Sequence, residues 1–561
     1  MSKHQAAPIL APVLTLTLLA SGAALAQAEP IAIAPGALRA VGSVDERYQS
    51  YNVEMIEVMG GKWWAPYPDT PDTRDAPETP NTPNAPNAPN AADTPRQPTA
   101  PRAGAGANAS AADAPATSNG IDSAGFLYRP PEDLANPRLR KLAAALSPAY
   151  VRLSDTWTNT MYFDDADADA APPAPPGFGA VLTAHEWQGV IDFSNAIDAP
   201  IVTSFSIGAG VRDAAGSWTP AQAAKFLAFT RHAGGRIAAV EFFNEPNLAA
   251  IGGAPKGYDA AAYGRDFQLF RAFITKAAPE IEILGPGPVG EGRLLAKMPA
   301  GLKSADLLVA SGPGLDAVSY HFYGAVSQRC TAMGAAFQTT SGAALDSGWL
   351  SATNADAAFY GALRDRYEPG KPLWLTETAE SACGGNPWAA DFIDSFRYLN
   401  QLGSLATRGV KVVMHNTLTA GDYALIDGAT MRPRPNYWAA LLWRRLMGTT
   451  VLDAGSGAAP NLYLYAHCQR HVPGGVVLLA LNADRGAVRQ LALPTPASRY
   501  TLSADNLLAA DVQLNGSTLA LDAHGQLPAI EGAATPAGVL SLAPASISFI
   551  ALPQAGNPHC R

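Results

Sequence analysis

The chain predicts an α/β fold, a (β/α)8 TIM barrel carrying a C-terminal β-sandwich domain. Three observations lead there. Eight short apolar runs between residues 51 and 415 are each followed by a helical pattern, the texture of a parallel barrel. After Gly448 the pattern changes to short alternating runs separated by Gly, Pro, Asn and Asp, as in an antiparallel sandwich. Two of the apolar runs also lead into glutamates, Glu245 and Glu377, where parallel barrels place their chemistry.

A length of 561 residues is too great for one ordinary domain. An apolar share of 48% with ten Trp and 18 Tyr is ample for a large core, and a net charge of −9 argues against general nucleic-acid binding. Lys3 and His4 precede the apolar run 9–20, and small residues follow, so residues 1–28 read as a signal peptide cleaved after Ala26 or Ala28. That run is too short to span a bilayer, and no later apolar stretch is long enough. The expectation is a secreted or periplasmic protein without a membrane span, present as a monomer.

Residues 51–58 read as the first strand of a catalytic barrel over 45–447. Residues 69–120 contain no Leu, Ile, Val, Met or aromatic residue and repeat Thr-Pro and Asn-Ala-Pro units. Such a segment buries too little apolar area to offset chain entropy, so it is expected as a disordered insertion between the first strand and the helix at 133–146. Further strands are expected at 149–154, 200–207, 237–243, 280–285, 316–322, 371–377 and 410–415. Helical patterns include 219–232, 258–277, 356–367, 391–408 and 438–446. The sandwich, 448–561, shows strand-like runs at 462–466, 475–480, 488–493, 512–514 and 547–552, and a strand from 30–44 can add to it.

Export makes the four cysteines readable as disulfides. Cys330 and Cys383 each follow a barrel strand, whereas Cys468 and Cys560 bracket the C-terminal region, which favours the pairs 330–383 and 468–560. Four buried free thiols are the alternative. No C-x-x-C spacing suggests zinc, and no metal or organic cofactor is expected.

Glu245, in Asn244-Glu245-Pro246, ends the fourth strand; Glu377, in Trp374-Leu375-Thr376-Glu377-Thr378, ends the seventh. Either glutamate alone could be a solvated carboxylate. Across a barrel mouth the pair could approach to about 5 Å, the separation for glycoside hydrolysis with retention. His321 and Tyr323 lie two apart in one strand and so share a face, from which the tyrosine could hold the nucleophile. Asn244 could bond a sugar hydroxyl, or merely shape the turn before Pro246.

These motifs resemble the heparanase-like β-glucuronidases of glycoside hydrolase family 79. The resemblance rests on Leu146-Ser147-Pro148-Ala149-Tyr150-Val151-Arg152, Phe243-Asn244-Glu245-Pro246-Asn247 and Trp374-Leu375-Thr376-Glu377-Thr378 with Gly384-Gly385. Arg434-Pro435-Asn436-Tyr437-Trp438 and Val512-Gln513-Leu514-Asn515-Gly516 extend it. It implies that Glu245 is the acid/base and Glu377 the nucleophile. It further implies that Tyr423 and the Gly384 amide hold a glucuronate carboxylate, that Thr156 and Glu57 bind substrate, and that Cys468 pairs with Cys560. The implied partner is a glucuronate-containing polysaccharide such as heparan sulfate, cut internally. Two alternatives are an exo-acting β-glucuronidase and a non-catalytic glycan-binding protein. The basic residues that a sulfated chain would need are sparse: Arg293 and Lys297 after the fifth strand, and Arg129, Arg138, Arg140 and Lys141 before the second.

Overall fold

The structure, a computed structural model, describes residues 29–67, 125–166, 171–296, 301–455 and 459–561. The expected signal peptide, its cleavage positions, the 69–120 insertion and Lys297 lie outside the described residues.

Eight parallel strands close the barrel: β1 (Gln49–Asn52), β2 (Val151–Leu153), β3 (Ile201–Thr203), β4 (Ile237–Glu241), β5 (Glu282–Val289), β6 (Ala317–Tyr323), β7 (Leu373–Ala379) and β8 (Val410–His415). They pair in sequence order, and Val413 beside Gln49 joins the last strand to the first. Val202, Ala239, Leu284, Ala317, Trp374, Val412 and Met414 fill the interior, so the barrel is a packed core with its chemistry at the strand ends. Helices enter with local signals. Thr183 and Glu186 form a reciprocal capping box for Ala184–Ala196, and Asp259 accepts from the Ala262 N–H to cap Ala260–Ala277.

The first strand departs from expectation. Extended structure stops at Asn52, and Met55–Met59 is a short helix. Glu54 and Glu57 cap each other's backbone N–H groups, and this E-x-x-E box outcompetes strand continuation. A hairpin of Gly61–Trp64 and Phe126–Arg129 follows.

In the C-terminal region, Ala40–Ser43, Met447–Leu452, Leu462–Gln469, Val476–Asn482, Ser546–Leu552 and Ala497–Ser503 form the body of a nine-stranded sheet. Facing it is a three-stranded sheet of Ile31–Ala32, Arg489–Leu493 and Gly538–Leu542. Along one strand Leu478 and Ala480 face the second sheet's Leu491 and Leu540, whereas Val477, Leu479 and Leu481 join the barrel core. Period-two alternation thus glues the sandwich to the barrel. Between the two lies the helix Phe392–Thr407, buried along its whole length except at its last residue. Tyr465 of the sandwich donates to Asn400 of this helix at 2.7 Å. Cys330 is bonded to Cys383 and Cys468 to Cys560. Among the described residues no helix is long and apolar enough to cross a membrane.

Candidate active site

Glu377 projects from β7 itself, beside His321 of β6 in the parallel register. Glu245 lies past the end of β4, where its backbone takes the left-handed conformation (φ 49°) before Pro246. A non-glycine residue pays for that conformation in strain, which the surrounding structure must hold in place. Here Asn159 does so, accepting from the Asn244 N–H at 2.9 Å and donating to its carbonyl at 3.0 Å. One carboxylate oxygen of Glu245, one of Glu377 and one ring nitrogen of His321 lie within 4.8 Å of one another.

The two carboxylates have different neighbours. Glu377 accepts from Arg152 at 2.8 Å and from the Tyr323 hydroxyl at 2.6 Å. Among the described residues the Glu245 carboxylate has one hydrogen-bond partner, His321 Nδ1 at 3.1 Å, and burial pushes its carboxyl up to about 7. Arg152 approaches His321 Nε2 at 3.2 Å. A guanidinium can only donate, so Nε2 accepts and the neutral ring carries its proton on Nδ1, facing Glu245. Burial lowers the imidazole to about 4, which keeps it neutral.

Beneath these groups lies a buried charge pair. Arg152 is fully buried and donates to Glu241 at 3.0 Å as well as to Glu377 and Asn244. Burial raises Glu241, but the Arg152 guanidinium, His321 and the Ser319 and Thr376 hydroxyls together outweigh it and hold the carboxyl below its usual value. Asn244 accepts from Arg152 through its side-chain oxygen, which leaves its amide hydrogens for a ligand. The Glu245, His321 and Glu377 atoms could also meet a cation, but the Arg152 charge already occupies Glu377 and opposes one.

Tyr423 is buried with Tyr323, Val289, Ala379 and Ala389. Gly384 sits in a loop where Cys383, Gly384 and Gly385 all have positive φ, 64°, 79° and 84°. Thr156 is exposed just past β2, next to the turn Trp157–Thr160.

Glu57 is the residue the structure displaces. It sits on the helix after β1, not on the strand, and its carboxylate takes the Thr419 hydroxyl at 2.8 Å and the Glu54 N–H at 2.8 Å. Its nearest cation is Arg129, 3.9 Å away. Glu54 instead faces the reaction centre. Asn416 donates to it at 2.7 Å and to Tyr323 at 2.9 Å, and burial, then the Glu377 charge, raise its carboxyl well above the ordinary range. The expected basic residues are mostly engaged within the protein: Arg293 donates to Gly324 O at 2.6 Å, Arg140 to Leu134 O at 2.8 Å, and Arg129 to Glu132 at 2.5 Å.

The sequence reading did not assign roles to Arg152, Glu241, Glu54, Asn159 or Asn416. The first two had a signal: each is a charge inside an apolar strand, and the signs are complementary. Burial of either alone would be costly, so a buried Arg calls for a buried acid nearby.

No family model matches the chain. It is similar to heparanase-like protein 1 of Arabidopsis thaliana, 27% identical over 483 residues, 76% of this chain and 86% of the relative. Heparanase of Gallus gallus is 28% identical over 494 residues, covering 76% of this chain and 90% of its own. Baicalin-beta-D-glucuronidase of Scutellaria baicalensis is 35% identical over a shorter 189 residues, 32% of this chain and 36% of that protein. Among solved structures, a 4-O-alpha-L-rhamnosyl-beta-D-glucuronidase from Fusarium oxysporum aligns with a TM-score of 0.55 at 13% identity, covering 75% of this chain and 92% of that one, a likeness of fold. With relatives matched over most of both lengths and a barrel that gathers two carboxylates at its strand ends, the chain is a glycosidase similar to the heparanases and heparanase-like proteins.

Proposed function

We propose that the protein is a retaining β-glucuronidase acting on heparan sulfate or a related glucuronate-containing polysaccharide, cutting within the chain. The observation that carries the mechanism is the approach of Glu245 and Glu377 to within 4.8 Å. Retaining enzymes hold their carboxyl groups about 5–5.5 Å apart, whereas inverting ones leave room for water at about 6.5–9.5 Å.

Glu377, held by Arg152 and Tyr323, attacks the anomeric carbon as Glu245 gives its proton to the departing oxygen. Glu245, now a carboxylate, then takes a proton from water. That water attacks the same carbon and releases Glu377. Neutral His321 donates to one Glu245 oxygen and so leaves the other to carry the transferred proton. Asn244 and Glu54 are suited to sugar hydroxyls, and Tyr423 with the Gly384 amide to the uronate. The two disulfides support an oxidising, secreted or periplasmic location for a monomer whose leader ends at Ala26 or Ala28.

Relatives named heparanase, matched over 76% of this chain, favour the polymer substrate. The segment that matches baicalin-beta-D-glucuronidase at 35% identity supports a second reading, exo-action on terminal glucuronate. Hydrolysis of an aryl β-glucuronide and of heparan sulfate by wild type and Glu377→Gln tests both. Early mid-sized fragments, absent in the variant, are expected. Steady monosaccharide release would replace the endo reading with the exo one. Sugar binding without turnover of either substrate would leave a glycan-binding protein.

A further inference from the structure

We propose that Arg329 is a positioning residue that shapes the Gly384–Gly385 backbone into an anion pocket, and so sets selectivity for a uronate over a neutral sugar. This rests on the glucuronidase reading and extends it to residues with no part in the bond-breaking steps.

Arg329 is nearly buried, its side chain 7% exposed, and it binds three loops at once. Its guanidinium donates to Asp422 at 2.6 Å, to Gly385 O at 2.8 Å, to Cys383 O at 3.4 Å and to Ala65 O at 2.7 Å. The Tyr67 ring lies 3.9 Å below it, and the Tyr67 hydroxyl donates to Gly385 O at 2.9 Å. Ser327 donates to Cys383 O at 2.8 Å, and the Asp422 N–H donates to Gly384 O at 2.9 Å. Every carbonyl from Cys383 to Gly385 is therefore tied down on one side.

A trans peptide is rigid and planar, with its N–H opposite its C=O. Anchoring Cys383 O aims the Gly384 N–H away from Arg329, and the Asp422 N–H, by anchoring Gly384 O, aims the Gly385 N–H away from Asp422. Among the described residues neither N–H has an internal acceptor. Successive backbone N–H groups in such a curl form a concavity for an anion. Trp64 packs against the loop so closely that a Cβ on Gly384 would lie 2.9 Å from it, and Gly385 backs onto Tyr423. The pocket is thus fixed from outside by a hairpin and an arginine, while the reacting carboxylates are fixed from the barrel floor.

The test compares wild type, Arg329→Gln, Arg329→Lys and Tyr67→Phe on 4-nitrophenyl β-glucuronide. It also measures inhibition by two iminosugars, one bearing a ring carboxylate and one a hydroxymethyl group. Arg329→Gln should raise KM and the carboxylate inhibitor's Ki roughly 10–100-fold, as expected when one or two hydrogen bonds to a charged group are misplaced. The hydroxymethyl inhibitor's Ki and kcat should move less than about threefold, within the range of a neutral contact. Lys keeps the charge but not the fork and should recover only part of the loss. Tyr67→Phe deletes one hydroxyl and should shift KM in the same direction by a smaller factor, which keeps the test readable if Arg329 variants misfold. Equal losses for both inhibitors, or unchanged selectivity in both Arg329→Gln and Tyr67→Phe, would overturn the proposal. A wild type that does not prefer the carboxylate inhibitor would overturn the glucuronidase reading instead.

Discussion

Glu245 and Glu377 have oxygens within 4.8 Å of each other, yet they occupy opposite surroundings. Glu377 belongs to a strand, and its two donors, Arg152 and Tyr323, come from strands as well. Glu245 hangs from a left-handed turn with one neutral imidazole against it, and its side chain is the more exposed, 16% against 9%. The same side-chain chemistry thereby suits Glu377 to the proposed role of nucleophile and Glu245 to that of proton donor. What differs is their partners. The buried guanidinium binds one carboxylate directly and reaches the other only through space.

The sharpest way to break this contrast is to exchange the roles. Glu377→Gln should lower turnover by at least about 10⁴-fold on every β-glucuronide, since without a nucleophile no intermediate forms. Glu245→Gln should instead depend on the leaving group: a loss of about 10²–10⁴-fold with an alkyl aglycone, the usual worth of general acid catalysis, and far less with a dinitrophenyl one that needs no proton. Steady-state rates across a leaving-group series check both, and equal sensitivity in the two variants would erase the distinction.

Next in size is Glu241→Gln. Arg152 would keep a single carboxylate partner, and breaking such a buried pair costs about 3–5 kcal/mol of stability, readable by denaturant unfolding. The Glu241 charge also helps hold Glu245 up and the Arg152 charge pulls it down. The variant should therefore move the high-pH limb of kcat/KM to lower pH.

The wild-type pH profile follows from the same groups. A general acid must be protonated, so kcat/KM should hold on the acid side of about 7 and fall tenfold per pH unit above it. The linked stability has a definite sign. Burial favours protonated Glu245, so its contribution is fully present below the ordinary carboxyl value of 4.5 and is lost as pH rises through about 7. A high-pH limb well above 9 would show that another group donates the proton.

Much of this was legible in the sequence because strands advertise themselves. Apolar runs located seven of the eight barrel strands and the end of the first, and period two put His321 and Tyr323 on one face, where they contact Glu245 and Glu377. The floor was less legible. Arg152 and Glu241 are separated by 89 residues, and only strand adjacency around a closed barrel makes them partners. Glu57 misled for a different reason. An acidic residue after an apolar run looks like a strand end, but Glu54 and Glu57 cap a helix, which turns one toward Glu377 and the other toward Thr419. Hydrophobic pattern alone does not distinguish a strand's last turnout from a helix's first turn. The Arg329 hub depends on carbonyls of the loop backbone, and side-chain pattern carries no trace of which way a peptide plane faces.

The smallest effect is expected from replacing 69–120 with a short turn. The contrast between the two carboxylates is written by hydrogen bonds among residues on or just past β2, β4, β6 and β7. The arms also register without it: Trp64 pairs with Phe126, and the Ala65 N–H donates to Gly125 O at 2.9 Å, so their ends already lie at turn distance. Closing a shorter loop between them costs less chain entropy, by about 0.6 kcal/mol for each halving of length. Turnover should stay within about twofold of wild type, the scale of a surface change remote from the site, and the high-pH limb should not move. A shift confined to KM for the polymer would assign the segment to substrate capture. A shift in the high-pH limb would mean that the two carboxylates owe their difference to more than the barrel floor.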